Sequence, residues 1–226
     1  MNSLGYSFRY LFYFLSAKTK HDIHSPFVFE FVMELLEKKN PLTIKIKFQE
    51  QLFNYKCSLT KKKGSLVHRI IEKYNCKNIL ELSNYVGPNS FYFGLSNQHD
   101  KLISIGNNNI IADQSTLSNI KNHEIKIGKI NDLLDSTLKE LKQVDLAFID
   151  GSQCVESTLD IFNQCLEFCH IDSIIVFNNI YHSKEKKEMW QQISKTKKVT
   201  LSIDLFSLGI IFFRSGRQKE HYSIRF

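Results

Sequence analysis

The feature that most constrains the fold is a regular alternation of strand-like and helix-like patterns from about residue 66 to the end of the 226-residue chain. Short buried-strand patterns separated by helical ones lie at 77–82, 102–105, 124–127, 144–150 and 173–177. Such an alternation predicts a parallel sheet that is covered by helices on both faces. Two further strand patterns, at 199–205 and 208–214, are joined by too few residues for a helical crossover, so they must be antiparallel neighbours. The sequence therefore predicts an α/β fold with a seven-stranded, mostly parallel sheet that ends in an antiparallel hairpin.

The residues before this alternation carry helical periodicity instead. A stripe at the spacing of one helix face runs through residues 4–17. The stripe consists of Phe8, Leu11, Phe12 and Leu15. Ser25 and Pro26 form the start signal of a second helix, with serine as N-cap and proline at the first helical position. A third helical pattern covers 43–55.

The run Lys61-Lys62-Lys63-Gly64 separates the two regions. We expect an N-terminal helical segment at 1–60 and an α/β domain at 61–226. Because the apolar stripes of the helices must be buried, we expect residues 4–38 to pack as two helices over or beside the carboxyl edge of the sheet, where the parallel strands end. This packing would bring His21 and His24 near that edge.

The chain is basic, with a formal net charge of +7 at pH 7. Much of this charge lies in lysine-rich runs at 61–63, 184–187 and 195–198. Such runs can contact phosphates. No aromatic residues alternate with them and no nucleic-acid-binding motif accompanies them, so solvated helix ends are the better interpretation. A nucleic-acid partner is the weaker one.

The cysteines and the apolar runs indicate where in the cell the protein is located. The five cysteines are odd in number and irregularly spaced, and no secretory signal precedes them, which indicates reduced thiols and a cytoplasmic location. No apolar run approaches the roughly 20 residues of a membrane-spanning helix. The apolar run at 10–15 is followed by lysines rather than by a cleavage site, so it predicts an amphipathic helix and no membrane span.

Three short segments, each a strand pattern followed by polar residues or glycine, carry the most specific motifs. They read ILELSNYVG at 79–87, DLAFIDG at 145–151 and IIVFNNI at 174–180. These segments resemble motifs of the class I S-adenosylmethionine-dependent methyltransferases, and in particular of the catechol-type O-methyltransferases. HDIHSPFV at 21–28 and IDLFSLG at 203–209 resemble a group of such proteins seen in Bacteroidetes. The resemblance covers nearly the whole chain and implies a Rossmann-like fold, S-adenosylmethionine as cofactor and methyl transfer to an oxygen of a small-molecule acceptor.

The resemblance also implies a ligand site at the carboxyl ends of the strands, where open α/β sheets bind their ligands. For the cofactor it implies Glu81, Ser83, Gly87, Gly106 and Asp150. For a divalent cation, magnesium or manganese, it implies Asp150, Asn178 and Asn179. Catalysis would fall to Asp150 and to His182 just past the fifth strand, since histidine is the commonest general base.

The chain departs from the pattern of this family at three positions. Ser83 stands where a glycine usually follows the acidic residue and leucine, and Gly106 stands where an acidic residue usually binds the ribose. Asn178 stands where the family carries aspartate, and it keeps an oxygen for a cation without the charge. These departures leave a second interpretation open, in which the fold has lost catalysis and serves as a binding or scaffold module for an unidentified protein partner. A homodimer is compatible with both interpretations.

Overall fold

The computed structural model describes residues 3–37, 59–95, 98–108, 117, 119–151, 154–216 and 218–226. The predicted helix at 43–55 lies outside these ranges. The helices are α1 (Ser3–Ser16), α2 (Pro26–Phe31), which a π-helical turn (Val32–Leu36) continues, α3 (Lys61–Lys73), α4 (Pro88–Gly94), α5 (Ile130–Leu141), α6 (Val155–Glu167) and α7 (Lys184–Lys195). The strands are β1 (Asn78–Tyr85), β2 (Lys101–Asn108), β3 (His123–Ile127), β4 (Val144–Ile149), β5 (Cys169–Asn178), β6 (Leu201–Asp204), β7 (Leu208–Phe212) and β8 (Glu220–Ser223).

The strands of the described residues form one sheet in the order β3-β2-β1-β4-β5-β7-β6-β8. Strands β1 to β5 are parallel, and β7 is antiparallel to both of its neighbours, β5 and β6. The predicted α/β fold with a C-terminal antiparallel hairpin is thereby confirmed. An eighth strand, β8, was not predicted and pairs in parallel with β6. The strand order reverses between β1 and β4, and such a reversal is where open α/β sheets bind ligands.

Successive residues of the strands enter two separate cores. On one face Ile79 and Ile174 pack in a cluster with side chains of α2, α3 and α4. On the other face Leu80 and Ile175 pack with side chains of α5, α6 and α7. This division follows from the two-residue period of a strand, and central strands buried on both faces are apolar throughout. The molecule is therefore a three-layer sandwich with the sheet in the middle.

The hairpin between β6 and β7 reverses within three residues. The N–H of Leu205 donates to the carbonyl of Leu208 at 2.8 Å, and the N–H of Ser207 donates to the carbonyl of Leu205 at 2.7 Å, which closes a γ-turn. The central residue, Phe206, has a φ of 61°, in the left-handed region that non-glycine residues rarely enter. The carboxylate of Asp204 accepts the N–H of Phe206 at 2.8 Å and so stabilises this turn.

Helix α1 packs at the carboxyl edge, as predicted, but through a different face. The side chains that contact the ring of Phe206, with centroids 5.0 to 5.2 Å away, are Tyr6, Tyr10 and Tyr13. The predicted stripe is instead exposed, by 51% to 70%; it comprises Phe8, Leu11, Phe12 and Leu15. The tyrosine face also provides a hydrogen bond to the sheet: the single O–H of Tyr13 is shared between the carbonyls of Asp204, at 2.7 Å from Oη, and Ile224, at 2.6 Å. The prediction that the stripe is buried is wrong.

The histidines of the N-terminal segment lie in two different places. His21 lines a cavity of about 350 Å³ together with Lys62. His24 lines another, of about 420 Å³, together with Arg214. Asp150 lines neither cavity. The two histidines therefore do not come together at one site.

The N-terminal segment and the α/β domain share a core. Val28 and Phe31 of α2 belong to the same cluster as Leu66 and Ile70 of α3. Helix α3 begins at Lys61, where the boundary was predicted; the division into 1–60 and 61–226 stays a prediction. None of the helices in the described ranges has the length and apolar character that crossing a membrane requires.

Candidate functional site

Asp150 and Asn178 meet because β4 and β5 end side by side. Ile149, the last residue of β4, pairs with Phe177 of β5. The N–H of Asp150 donates to the carbonyl of Leu82 in β1 at 2.8 Å, which directs the chain towards the centre of the sheet. At Gly151 a Cβ atom would overlap the backbone oxygen of Asn178, so only glycine allows the two strand ends this close. The glycine after Asp150 thus serves the packing of the two ends.

Asn178 connects Asp150 to a lysine from another element. Its Nδ2 donates to Asp150 Oδ1 at 3.1 Å, and its Oδ1 accepts from Lys63 Nζ at 3.0 Å. Lys63 Nζ also donates to Asn179 Oδ1 at 3.4 Å. The reverse orientation of the Asn178 amide would set its NH₂ group against an ammonium and its oxygen against a carboxylate. Both neighbours therefore dictate the same orientation.

Two lysines bring positive charge to Asp150. Burial lowers the pKa of Lys63, and the negative charge of Asp150 acts in the opposite direction. Burial also lowers the pKa of Lys186 in α7, again opposed by Asp150, and Lys186 Nζ donates to the carbonyl of Gly151. The carboxylate thus lies in a positive field that the chain itself provides.

The donor set as it stands does not fit a divalent cation. Asp150, Asn178 and Asn179 lie close together, but both amide oxygens accept from Lys63. Magnesium and manganese require oxygen ligands, and a nearby ammonium repels them. Within the described ranges, no three His, Cys, Asp or Glu side chains are grouped closely enough to hold a metal ion.

Glu81 is an interior residue. Strand β1 continues past it to Tyr85, and the side chain is completely buried on the face covered by α3 and α4. Its carboxylate accepts from Ser83 Oγ at 3.0 Å, from Ser104 Oγ at 2.7 Å and from Ser90 Oγ. Burial raises the pKa of Glu81, and the three hydroxyl donors oppose that rise. The prediction that Glu81 lies at a strand end is wrong, because β1 is longer than its apolar run.

The hydrogen bonds of Glu81 continue to the edge of the sheet. Ser104 Oγ lies 2.9 Å from Nε2 of His123 in β3. Since Ser104 donates to Glu81, His123 must donate from Nε2, which fixes its tautomer. Burial and the neighbouring His99 lower the pKa of His123 to about 4, so its ring is neutral. A line of polar side chains therefore crosses from β1 to β3 inside the protein.

Ser83 and Gly106 lie within strands and pair with each other across β1 and β2. The expectation that they occupy the turns after those strands is wrong. Ser83 Oγ donates to Glu81 and accepts from Asn89 Nδ2 at 3.4 Å, so the hydroxyl is engaged inside the protein. A Cβ atom at Gly106 would overlap the side chain of Val86. A ribose-binding carboxylate therefore has no room at position 106, and the cofactor contacts of both residues stay predictions.

Gly87 connects β1 to α4. Its φ of 124° and ψ of −67° are accessible to glycine and strained for any other residue. Its carbonyl accepts the N–H of Phe91 at 3.2 Å, which begins the helix. The glycine is explained by this backbone conformation, and its contact with a cofactor stays a prediction.

His182 is exposed and follows β5 at the carboxyl edge. Its N–H donates to the carbonyl of Asn179 at 3.0 Å, and its own carbonyl accepts from Arg9 Nη2 of α1 at 3.2 Å. The backbone of His182 is thus held from two sides. Its catalytic role stays a prediction.

Sequence reasoning missed Asp204, a buried carboxylate at the end of β6. It accepts from Tyr181 Oη at 2.9 Å and from Trp190 Nε1 at 3.2 Å, in addition to the N–H of Phe206. Burial raises its pKa to about 6 against these donors. No sequence signal separates this aspartate from a surface one, because its donors come from α7, from the loop after β5 and from the hairpin turn.

Sequence reasoning also missed Lys63, which was interpreted as part of a solvated helix end. A signal for it exists in the sequence. Leu66, Val67 and Ile70 follow it at i+3, i+4 and i+7, and all three are fully buried. Lys63 therefore lies on the buried face of α3, and a lysine at such a position usually has a partner.

Comparison with known proteins bears on the fold alone. No family profile and no curated protein sequence matches the chain. Among solved structures, the O-methyltransferase TomG from Streptomyces achromogenes, involved in tomaymycin synthesis and crystallised with S-adenosylmethionine, matches with a TM-score of 0.58 and 15% identity over 80% of this chain and 93% of its own. A methyltransferase from Geobacter sulfurreducens matches with a TM-score of 0.57 and 12% identity over 85% of this chain and 98% of its own.

A third solved structure comes from Bacillus cereus. It is an O-methyltransferase in complex with SAH, and it matches with a TM-score of 0.51 and 13% identity over 82% of this chain and 96% of its own. At such identities the likeness concerns the path of the backbone alone. This chain has the fold of the class I O-methyltransferases.

Proposed function

We propose that this protein binds S-adenosylmethionine at the carboxyl edge of the sheet and transfers its methyl group to an oxygen of a small-molecule acceptor. The observation that carries the proposal is the position of Asp150. It is a buried carboxylate directly after β4, beside the point where the strand order reverses. Two solved structures with this fold, from Streptomyces achromogenes and Bacillus cereus, hold S-adenosylmethionine and SAH respectively.

The residues around Asp150 suit the amino group of such a cofactor. Within the described residues, the hydrogen bond to this carboxylate comes from Asn178 and falls on Oδ1, so Oδ2 is the atom that would accept a ligand's ammonium. Gly87 would let the backbone after β1 approach the ligand. Glu81 would act through Ser83 by holding the end of β1 in place. The bound cofactor would supply a methyl group on a positively charged sulfur, and the protein would contribute alignment.

His182 would serve as the general base of this reaction. Its imidazole would receive the proton of the acceptor hydroxyl as that oxygen takes up the methyl group. The backbone contacts to Asn179 and Arg9 would keep the ring at the carboxyl edge. We further propose a cytoplasmic location, with which the free Cys76, Cys154, Cys165 and Cys169 are compatible.

Calorimetry on the purified protein tests the proposal. S-adenosylmethionine and S-adenosylhomocysteine should bind with dissociation constants in the micromolar range or tighter. Asp150→Asn should weaken binding at least tenfold, since a charged hydrogen bond of about 1.5–3 kcal/mol is lost. Asp172→Asn removes an exposed carboxylate near the start of β5 and should leave the affinity unchanged. Absence of binding at millimolar ligand would refute the proposal.

A further inference from the structure

We propose that Lys63 takes the place of the divalent cation that the resemblance implies, so that the cluster at Asp150, Asn178 and Asn179 is independent of metal. The proposal that Lys63 replaces the cation does not depend on the proposed function. The further role of Lys63 towards an acceptor rests on it.

The oxygens that a cation would need are engaged by the lysine. Lys63 Nζ lies 3.0 Å from Asn178 Oδ1 and 3.4 Å from Asn179 Oδ1. An ammonium at these distances occupies the space in which a hard cation would coordinate the same two atoms. Two positive charges a few Å apart in a partly buried site repel each other strongly. Lysine and metal are therefore alternatives here.

The presence of asparagine rather than aspartate at position 178 fits a site that holds a lysine instead of a metal ion. An aspartate at this position would set a second carboxylate against Asp150, and such a pair favours a divalent cation. The asparagine removes that charge and turns an NH₂ donor towards Asp150 Oδ1 at 3.1 Å. The site then holds one carboxylate, Asp150, near the ammonium groups of Lys63 and Lys186, so its negative charge is met without a metal. Asn178 and Lys63 are therefore complementary, because the neutral amide accepts from an ammonium that occupies the place of a metal ion.

The ammonium also has capacity for a ligand. Two of its three N–H bonds are directed to Asn178 and Asn179, and within the described residues no acceptor is found for the third. An acceptor oxygen at the carboxyl edge would receive this donor. The positive charge would stabilise that oxygen as it loses its proton, which is the task that a metal performs in such a site.

Titration with Mn²⁺ alone, followed by electron paramagnetic resonance, tests the proposal without cofactor or acceptor. The parent protein should take up no stoichiometric Mn²⁺ at millimolar concentration. The double variant Lys63→Met/Asn178→Asp removes the ammonium and adds a carboxylate, and it should bind Mn²⁺ at least tenfold more tightly than the parent. The matched control Lys62→Met/Asn178→Asp has the same net charge but keeps Lys63, and it should bind no more tightly than the parent.

The titration of the parent protein tests whether Lys63 replaces the cation even where a variant fails to fold. One Mn²⁺ per parent chain, lost in Asn178→Ala, would overturn the proposal. Equal Mn²⁺ affinity of the two double variants would overturn it as well, because charge alone would then explain the result. A parent that binds neither Mn²⁺ nor S-adenosylmethionine would refute the proposed function and support the lysine as the resident cation. A parent that binds both would refute only the present proposal.

Discussion

Gly64 of α3 lies against the ring of Tyr92 in α4. A Cβ atom at position 64 would come within 2.5 Å of Tyr92 Cδ2 and Cε2. Because Tyr92 is itself buried, its ring has no free space to enter. This contact sets the distance between the two helices, and with it the depth at which the neighbouring Lys63 enters the site.

Gly64→Ala should therefore destabilise the protein. We expect a loss of about 1–3 kcal/mol in the free energy of unfolding, because the overlap with Tyr92 outweighs the gain of up to about 1 kcal/mol that alanine brings to a helix. Urea unfolding measures it. The control is Gly5→Ala in α1, where the nearest atom is Arg9 Nη1 at 3.7 Å; there stability should stay equal or rise. Equal losses at the two positions would rule out the packing explanation.

Tyr13→Phe should loosen α1 from the sheet. The hydroxyl of Tyr13 is shared between the buried carbonyls of Asp204 and Ile224, and its removal leaves both without this donor. The expected loss is about 1–3 kcal/mol in thermal or urea unfolding. Hydrogen exchange should speed up throughout α1. Tyr10→Phe keeps the ring contact to Phe206 and should change stability by less than about 0.5 kcal/mol; a comparable loss there would contradict the assignment to the hydroxyl.

Glu81→Gln should destabilise the interior of the sheet. A glutamine presents one acceptor oxygen where the carboxylate presents two, so one of the donors Ser83, Ser90 and Ser104 loses its acceptor. We expect a loss of about 1–3 kcal/mol in urea unfolding. Glu124→Gln removes an exposed carboxylate that is 3.6 Å from Lys101 and 3.5 Å from Lys126, and the change should stay below about 0.5 kcal/mol. If Glu81→Gln were as mild as this control, the three serine hydrogen bonds would not be what makes the carboxylate important for stability.

Asp204 should give the stability of the protein a pH dependence. Its pKa is about 6 in the folded protein and 3.8 in the reference state, so between these values the folded state binds more protons. The contribution of Asp204 is therefore fully present below pH 4 and is lost as the pH rises to 6. Relative to the parent, Asp204→Asn should gain about 1–3 kcal/mol between pH 4 and pH 7 in urea unfolding. A difference that is constant over this range would show that Asp204 titrates normally.

The strands could be predicted from the sequence to the extent that they are apolar. Runs such as Val144–Ile149 bury every residue and leave no other interpretation. The short connection at Phe206 and Ser207 forced the antiparallel hairpin. Strand β8 was not predicted because its four residues, Glu220–Ser223, show no apolar pattern. It is a strand through its pairing with β6 alone.

The ends of β1 and β2 could not be predicted from the apolar pattern of the sequence. Ser83 and Asn84 are typical turn residues, so a strand end at residue 82 was the natural prediction. Pairing of Ser83 with Gly106 and of Tyr85 with Asn108 extends both strands instead. This is a long-range effect, and it moved Glu81 from the predicted edge of the site into the interior. Likewise, helical spacing places Lys63 on a buried face, but its partner Asn178 is 115 residues away and no local pattern identifies it.

The contact of Tyr13 with Ile224 also bears on the order in which the chain assembles on the ribosome. The two residues are 211 positions apart, and Lys18 pairs with the same residue, Ile224. At a synthesis rate of about 5–20 residues per second, α1 emerges on the order of 10–40 s before the segment on which it docks. Until then its tyrosine face lacks the surface that covers it in the folded protein, whereas its stripe is exposed both before and after docking. Helix α1 is consequently made well before the segment on which it docks, and during this interval its tyrosine face is open to a nascent-chain chaperone.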